Sequence, residues 1–166
     1  MLTFLNRLLG RRDALTREEI LFRDYVVAGL SNDLVRRLLS IGRWIDAEPG
    51  AVLAREREPV AEMVFIASGE VEITVEGKTV GYCDIGSLVG EISLLTDTPA
   101  TATATAKSPV RYLSFERNAL LKLMEREPLI GSAIDRTVRQ GMRQKLVSTN
   151  EALARLQAAG APPPEL

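Results

Sequence analysis

The stretch from Arg43 to Phe115 constrains the fold most strongly, because it consists of short β-prone runs separated by turn residues about every ten residues. Glycine, proline and aspartate mark these turns, as at Pro49-Gly50 and Ser68-Gly69. The predicted strands are residues 44–47, 52–55, 63–67, 70–76, 78–83, 100–106 and 110–115. Such regular spacing is typical of a β-sandwich or barrel. The alternation in Val71–Val75 predicts one buried and one wet face for that strand.

Helices are predicted before this β-prone stretch. A capping box at Thr16–Glu19 opens a helix that runs to about Ala28. Ser31 or Asn32 then caps a second short helix, which extends through Leu39. Hydroxyl and amide side chains are preferred at these positions because they accept hydrogen bonds from the free amides of the first turn.

Helical periodicity returns after the β-prone stretch. Apolar residues within 120–124 share one helix face, Pro128 breaks the pattern, and a second helix is predicted from about Leu129 to Ala154. The proline-rich end of the chain is predicted to be extended or disordered. The predicted organisation is a helical region 1–42, a β region 43–115, helices over 116–157 and a flexible tail 158–166.

Composition excludes several functions. Histidine is absent, which rules out Ser-His-Asp and Cys-His catalysis and histidine-rich metal sites, so neither an enzyme nor a metal or cofactor is expected. The net charge of −1 gives no general attraction to nucleic acid. The single cysteine, Cys83, lies among apolar and β-branched residues and is interpreted as strand filling. No apolar stretch approaches the roughly 20 residues that cross a bilayer, so a cytoplasmic protein is expected.

The segment Met1–Arg12 has leucines at helical spacing with arginines beside them. We interpret it as a docking or oligomerisation helix, with proximity to a membrane as the alternative. It lacks the cleavage site of a secretory signal. Two origins are open for it: a natural start, or the juxtamembrane part of a longer membrane-associated protein.

Residues 86–106 carry the functional signal, since a glycine turn leads into a very short helix, a proline turn and a strand. Gly90 is expected to let the backbone approach a ligand, and the free amides around Glu91 are expected to form an anion site for a phosphate. The Glu91 carboxylate is placed to accept a hydrogen bond from a ribose hydroxyl. Thr101 and Thr103, two apart on one predicted strand, are expected to put both hydroxyls on the same face.

The blocks Gly90–Leu95 and Pro99–Thr103 resemble the phosphate-binding cassette of cyclic nucleotide-binding domains, whose pattern reads Phe-Gly-Glu-x-Ala/Ser-Leu-Leu and later Pro-Arg-x-Ala-Thr. The resemblance extends over about residues 30 to 147. It implies a mainly β fold with flanking helices. In that fold a double-stranded β-helix, or jelly roll, follows the N-terminal helices and precedes two C-terminal helices.

The same resemblance implies a binding site. The residues it assigns to the ligand are Val89, Gly90, Glu91, Ile92, Ser93, Ala100, Thr101 and Thr103. The amides that follow Gly90 would hold the cyclic phosphate, and Glu91 would bind the ribose 2′-hydroxyl. Ala100 stands where the family has an arginine, and that loss weakens binding by about 10- to 100-fold. Val89 replaces a phenylalanine. The missing arginine resembles the Popeye-like branch of the superfamily.

The resemblance implies a non-catalytic regulatory domain that senses a cyclic nucleotide, with cyclic AMP as the first candidate, and signals as the helix from Leu129 closes over the base. The alternative is a degenerate roll that serves as an interaction or oligomerisation module, for example in a homodimer. An apolar stripe on the last helix supports this alternative, although core packing also explains it. The stripe consists of Ile130, Ile134, Val138, Leu146, Leu153 and Leu156. Direct DNA binding is not expected, because the about 20 residues after Leu146 leave no room for a helix-turn-helix domain.

Overall fold

The computed structural model describes the backbone of residues 14–158 and the side chains of residues 14–143. The predicted segment Met1–Arg12 and residues 159–166 of the predicted tail lie outside the described residues. The helices are α1 (Arg17–Val26), α2 (Asn32–Leu39), α3 (Glu91–Thr96), α4 (Arg117–Arg126) and α5 (Pro128–Ala158). None of these helices combines the length and the apolarity needed to traverse a bilayer.

The strands of the described part form two antiparallel four-stranded sheets, ordered β1-β8-β3-β6 and β2-β7-β4-β5. Their bounds are β1 (Gly42–Ala47), β2 (Val52–Ala54), β3 (Glu62–Ser68), β4 (Val71–Val75), β5 (Lys78–Cys83), β6 (Leu88–Val89), β7 (Thr103–Ala106) and β8 (Val110–Glu116). The register of β1 on β8 places Gly42 opposite Phe115 and Ala47 opposite Val110. The first and last strands are therefore neighbours, and the predicted mainly β roll with flanking helices is confirmed.

Local signals set the ends of the helices. The Thr16 amide donates to Glu19 Oε2 at 2.7 Å and the Glu19 amide donates to Thr16 Oγ1 at 3.2 Å, which completes the predicted capping box of α1. Ser31 is the N-cap of α2. The predicted break between the last two helices lies at Glu127, and Pro128 is the first residue of α5, since the N–H that proline lacks would have no helical partner there.

Strands β3 and β8 lie between two hydrophobic cores and contribute one face to each. This is possible because successive side chains of a strand point to opposite sides of its sheet. Met63 and Phe65 face the helices, whereas Val64 and Ile66 face the second sheet. The helix-side core includes the fully buried Phe22, Val26, Val35, Leu38, Phe65, Leu113, Phe115, Leu120, Ile130, Ile134 and Val138. The roll core consists of Val64, Ile66, Val71, Val89, Ala104, Ala106 and Val110.

The structure corrects the strand prediction around the cassette. The strand expected from Ala100 begins only at Thr103, because Ala100 pairs with a loop instead of a neighbouring strand. The two-residue strand β6 was not predicted, and it is too short for any alternating pattern. It exists because Leu88 and Val89 pair with Phe65 and Val64 of β3.

Candidate functional site

A cavity of about 570 Å³ lies inside the roll beside α3; we call it the cassette cavity. Its apolar wall consists of Ala54, Val60, Ile73, Val75, Val80, Leu88, Ala102 and Ala104. Its cassette wall consists of Val89, Gly90, Glu91, Ile92, Ser93, Ala100 and Thr101. The structure thus brings together every predicted site residue except Thr103. A volume of this size is typical of small-ligand sites.

Gly90 forms the sharp turn between β6 and α3. Its φ of 82° lies in the left-handed region, where glycine is unstrained. A Cβ at this position would lie 2.6 Å from the carbonyl oxygen of Glu62 and 2.9 Å from Val60 Cγ1. The close approach that we expected toward a ligand is therefore also an approach to the chain's own β2–β3 connection, and glycine is required here even without a ligand.

The first turn of α3 presents backbone donors at the cavity wall. The earliest intrahelical hydrogen bond runs from the Leu94 amide to the Gly90 carbonyl at 3.1 Å. The amides of Glu91, Ile92 and Ser93 therefore precede the hydrogen-bond ladder of the helix, as the first amides of any helix do. These are the donors that the cassette pattern predicted.

Glu91 is buried at the cavity wall, with 5% of its surface exposed. Ser93 is buried beside it. Among the described residues that line the cavity, Glu91 is the only one with an ionisable acidic or basic side chain other than Tyr82 and Cys83. The wall therefore offers an acceptor and several neutral donors but no lysine or arginine to a ligand.

Ala100 is buried at 8% exposure and its methyl group leaves that part of the wall apolar. Its backbone pairs with the β2–β3 connection: the Arg57 amide donates to the Ala100 carbonyl at 2.8 Å, and the Ala100 amide donates to the Glu58 carbonyl at 2.9 Å. The cassette segment around Ala100 is therefore held in place by the β2–β3 connection, which lies about 40 residues earlier in the sequence. The Popeye-like assignment rests on Ala100 and stays a prediction.

The two threonines differ in position, contrary to the expectation that they share a strand face. Thr101 precedes β7 and lines the cavity. Thr103 does not line it, because its Oγ1 accepts a hydrogen bond from the Glu56 amide at 3.0 Å. The Thr103 hydroxyl holds the β2–β3 connection in place in this structure, and its contact with a ligand stays a prediction.

A second space, which the sequence did not predict, lies between α1, the β5–β6 connection and α5; we call it the helix groove. It has a volume of about 710 Å³, and Tyr25, Ile85, Thr137 and Gln140 contribute to its lining. It shares a wall with the cassette cavity, formed by Tyr82, Cys83, Leu88 and Glu91. Three of its lining residues are exposed and largely apolar: Tyr25, Tyr82 and Ile85. The sequence does not reveal the groove, because these residues are isolated in the chain and form no periodic pattern.

The last helix packs on the fold through part of the predicted stripe. Ile130, Ile134 and Val138 are fully buried in the helix-side core, so core packing explains them. Thr137 Oγ1 also donates to the Val26 carbonyl of α1 at 2.7 Å. The described side chains of α5 border the helix groove rather than the cassette cavity. The side chains of Leu146, Leu153 and Leu156 lie outside the described residues.

Known proteins resemble this chain in sequence. The family model described as "Cyclic nucleotide-binding domain" matches residues 44–127. The acetyltransferase Pat of Mycolicibacterium smegmatis is 35% identical over 111 residues, which cover 64% of this chain and 32% of that protein. A cAMP-dependent protein kinase regulatory subunit of Yarrowia lipolytica is 32% identical over 79 residues, 46% of this chain and 21% of that protein. The chain thus spans about a third or less of these relatives.

Solved structures resemble it in fold. A cyclic nucleotide-binding domain from Methylobacillus flagellatus superposes with a TM-score of 0.74 at 22% identity, covering 89% of this chain and 86% of that one. The family match includes the whole cassette and runs from within β1 to just past α4. This chain belongs to the family of cyclic nucleotide-binding domains.

Proposed function

We propose that this chain is a non-catalytic sensing module that binds a cyclic nucleotide, with cyclic AMP as the first candidate, in the cassette cavity. One observation carries the proposal: the Gly90–Ser93 motif forms the wall of a 570 Å³ cavity inside the segment that matches the family. The relative from Yarrowia lipolytica is a cAMP-dependent regulatory subunit, which supports this choice of ligand.

The wall suggests how such a ligand binds. The amides of Glu91, Ile92 and Ser93 donate to the oxygens of the cyclic phosphate, and the Glu91 carboxylate accepts from the ribose 2′-hydroxyl. The base packs against apolar side chains such as Val75 and Val80 near the open side of the cavity. Neutral donors alone hold a phosphate less tightly than a charged partner does, so we expect micromolar rather than nanomolar affinity.

Signalling would pass through α5. This helix contacts α3 as well as α1 and α4, so a ligand that shifts α3 alters the surface on which α5 rests. A ligand that binds one arrangement of α5 more tightly shifts the population toward it. Because the two relatives are about three and about five times as long as their matched parts, we propose that the output belongs to a further domain or partner.

The second candidate is a roll that binds no nucleotide and acts as an interaction or oligomerisation module. The absence of lysine and arginine from the described cavity wall favours it. A homodimer, proximity to a membrane, a cytoplasmic location and the absence of direct DNA binding all stay predictions.

Isothermal titration with cyclic AMP and cyclic GMP tests the proposal. We expect saturable binding of cyclic AMP that weakens by about 10-fold or more in Glu91→Gln, which keeps the shape of the side chain but removes its charge. Glu48→Gln, an exposed carboxylate in the turn after β1, is the matched control and should bind as the natural chain does.

Silence from both nucleotides at millimolar concentration would contradict nucleotide sensing and support the interaction module. Light scattering then gives the second measurement, because a concentration-independent monomer would count against a homodimer.

A further inference from the structure

Arg57 is the basic residue whose backbone lies directly against the position of the missing cassette arginine. Its amide donates to the Ala100 carbonyl at 2.8 Å. In the chain it stands between Ala54 and Val60, both of which line the cassette cavity. The backbone of Arg57 is therefore anchored beside position 100, and its long side chain extends from that point.

The side chain of Arg57 is now engaged at the surface. Its Nη2 lies 3.0 Å from Glu76 Oε1 and its Nε lies 3.7 Å from Glu56 Oε1. Glu76 follows Val75, another residue of the cavity wall, so this ion pair connects two segments that line the cavity. The Arg57 side chain is 76% exposed, and ion pairs between exposed side chains contribute little, so their exchange for another anion costs little.

The backbone at Arg57 is unusual. Its φ of 66° lies in the left-handed region, which a residue with a long side chain seldom occupies and which suits glycine. Strain of this kind is often retained where a side chain has a role. A role for the guanidinium explains why arginine stands at a position shaped for glycine.

We propose that Arg57 supplies the cation that Ala100 lacks. When the ligand binds, the guanidinium leaves Glu76 and pairs with the ligand's phosphate at the edge of the cassette cavity. The inference rests on the proposed function, since it needs a phosphate in the cavity. Arg57 is then a binding residue that lies outside the cassette pattern.

The test is titration of Arg57→Gly with cyclic AMP and with adenosine. Glycine fits the local φ, so the variant should keep or raise the melting temperature while it loses the cation. We expect its affinity for cyclic AMP to fall by about 10-fold or more, and its affinity for adenosine, which has no phosphate, to stay unchanged. Arg55→Gln, an exposed arginine of the same connection, is the control and should bind as the natural chain does.

A second variant pair separates this inference from the proposed function. Ala100→Arg combined with Arg57→Gly should recover the affinity for cyclic AMP, because the cation returns to the family's position. If the natural chain binds cyclic AMP and Arg57→Gly binds it equally well, the role of Arg57 is overturned and the proposed function stands. If only variants with Ala100→Arg bind, both are overturned for the natural chain.

Discussion

The helix-side core and the roll core share strands β3 and β8 but are filled differently. On the helix side, Phe22 lies between Phe65 and Phe115, with ring centroids 5.3 and 5.4 Å apart. In the roll, every fully enclosed member of the core is valine, isoleucine or alanine. Large aromatic side chains fill the centre of the helix-side core, whereas the roll core has only small and medium aliphatic side chains beside the cassette cavity.

Because of this difference, we expect the two faces of the same strands to have separate roles, one in the stability of the fold and the other in ligand binding. Close packing on the helix side forms many dispersion contacts, and each loss there leaves a void that the surrounding structure fills only in part. Two members of the roll core, Val89 and Ala104, line the cassette cavity, so a side chain enlarged there has open space beside it. We therefore expect folding to depend mainly on the helix side and ligand selection on the roll.

The largest expected effect is that of Phe22→Ala. Phe22 is fully buried between two other phenylalanines, so its truncation should lower the free energy of unfolding by about 3–5 kcal/mol. Urea denaturation followed by circular dichroism measures it. Tyr25→Ala, an exposed aromatic on the same helix, is the control and should cost less than about 0.5 kcal/mol. Equal losses in both variants would contradict the assignment of stability to this core.

Replacing one buried alanine of each core by leucine tests the difference between the two cores directly. Ala133 is 6% exposed in the helix-side core and Ala104 is 2% exposed in the roll. Ala133→Leu should lower the free energy of unfolding by about 1–3 kcal/mol, because the added carbons have no room. Ala104→Leu extends into the cassette cavity, so it should change stability by less than about 1 kcal/mol while it weakens cyclic AMP binding. A larger loss for Ala104→Leu than for Ala133→Leu in denaturation would reverse the comparison.

The smallest expected effect concerns a carboxylate on the helix side. Glu116 caps α4, and hydrogen bonds from the amides of Asn118 and Ala119 lower its pKa. Because the folded-state pKa is lowered, this contact stabilises the protein above the ordinary carboxyl range and is lost as pH falls through that range and the lowered pKa. The natural chain should thus be more stable than Glu116→Gln at pH 7, and the gap should close in acid.

Glu72 gives the matched carboxylate on the roll side. The Thr79 hydroxyl and, next, the Lys107 ammonium lower its pKa by hydrogen bonding. The natural chain should therefore be more stable than Glu72→Gln at pH 7, and this gap should also close in acid. Salt should reduce the stability difference between the natural chain and Glu72→Gln more than the corresponding difference for Glu116→Gln. The reason is that part of the Glu72 effect comes from the exposed ion pair with Lys107, which salt screens. Urea denaturation in low and high salt at two pH values distinguishes the two. A gap that widens in acid for either variant would contradict the direction of the pKa shift.

Features that depend on neighbouring residues were predictable from the sequence. The capping box at Thr16 and the N-cap at Ser31 need only residues three positions away, and both formed as expected. The regular spacing of turn residues in the β-prone stretch likewise predicted most of the strands correctly. The cassette wall around Gly90 and Glu91 was predicted because its motif is contiguous.

Features that depend on distant residues were not predictable. Thr103 turns from the cavity because it accepts a hydrogen bond from Glu56, which lies far away in the sequence. Gly90 meets the carbonyl of Glu62 only because β6 pairs with β3. The helix groove likewise arises from the placement of α1 beside α5, which no local pattern encodes.

The pairing of β1 with β8 has a consequence for how the chain folds as it is synthesised. β1 is made first, yet its hydrogen-bonding partner is the last strand of the roll to leave the ribosome. β3 depends on the same partner for one of its edges. Non-local pairing of this kind slows folding and leaves unpaired strand edges exposed until the partner arrives. The facing edges of β1 and β3 therefore stay unpaired, and able to form non-native strand pairs, until β8 inserts between them and completes the sheet.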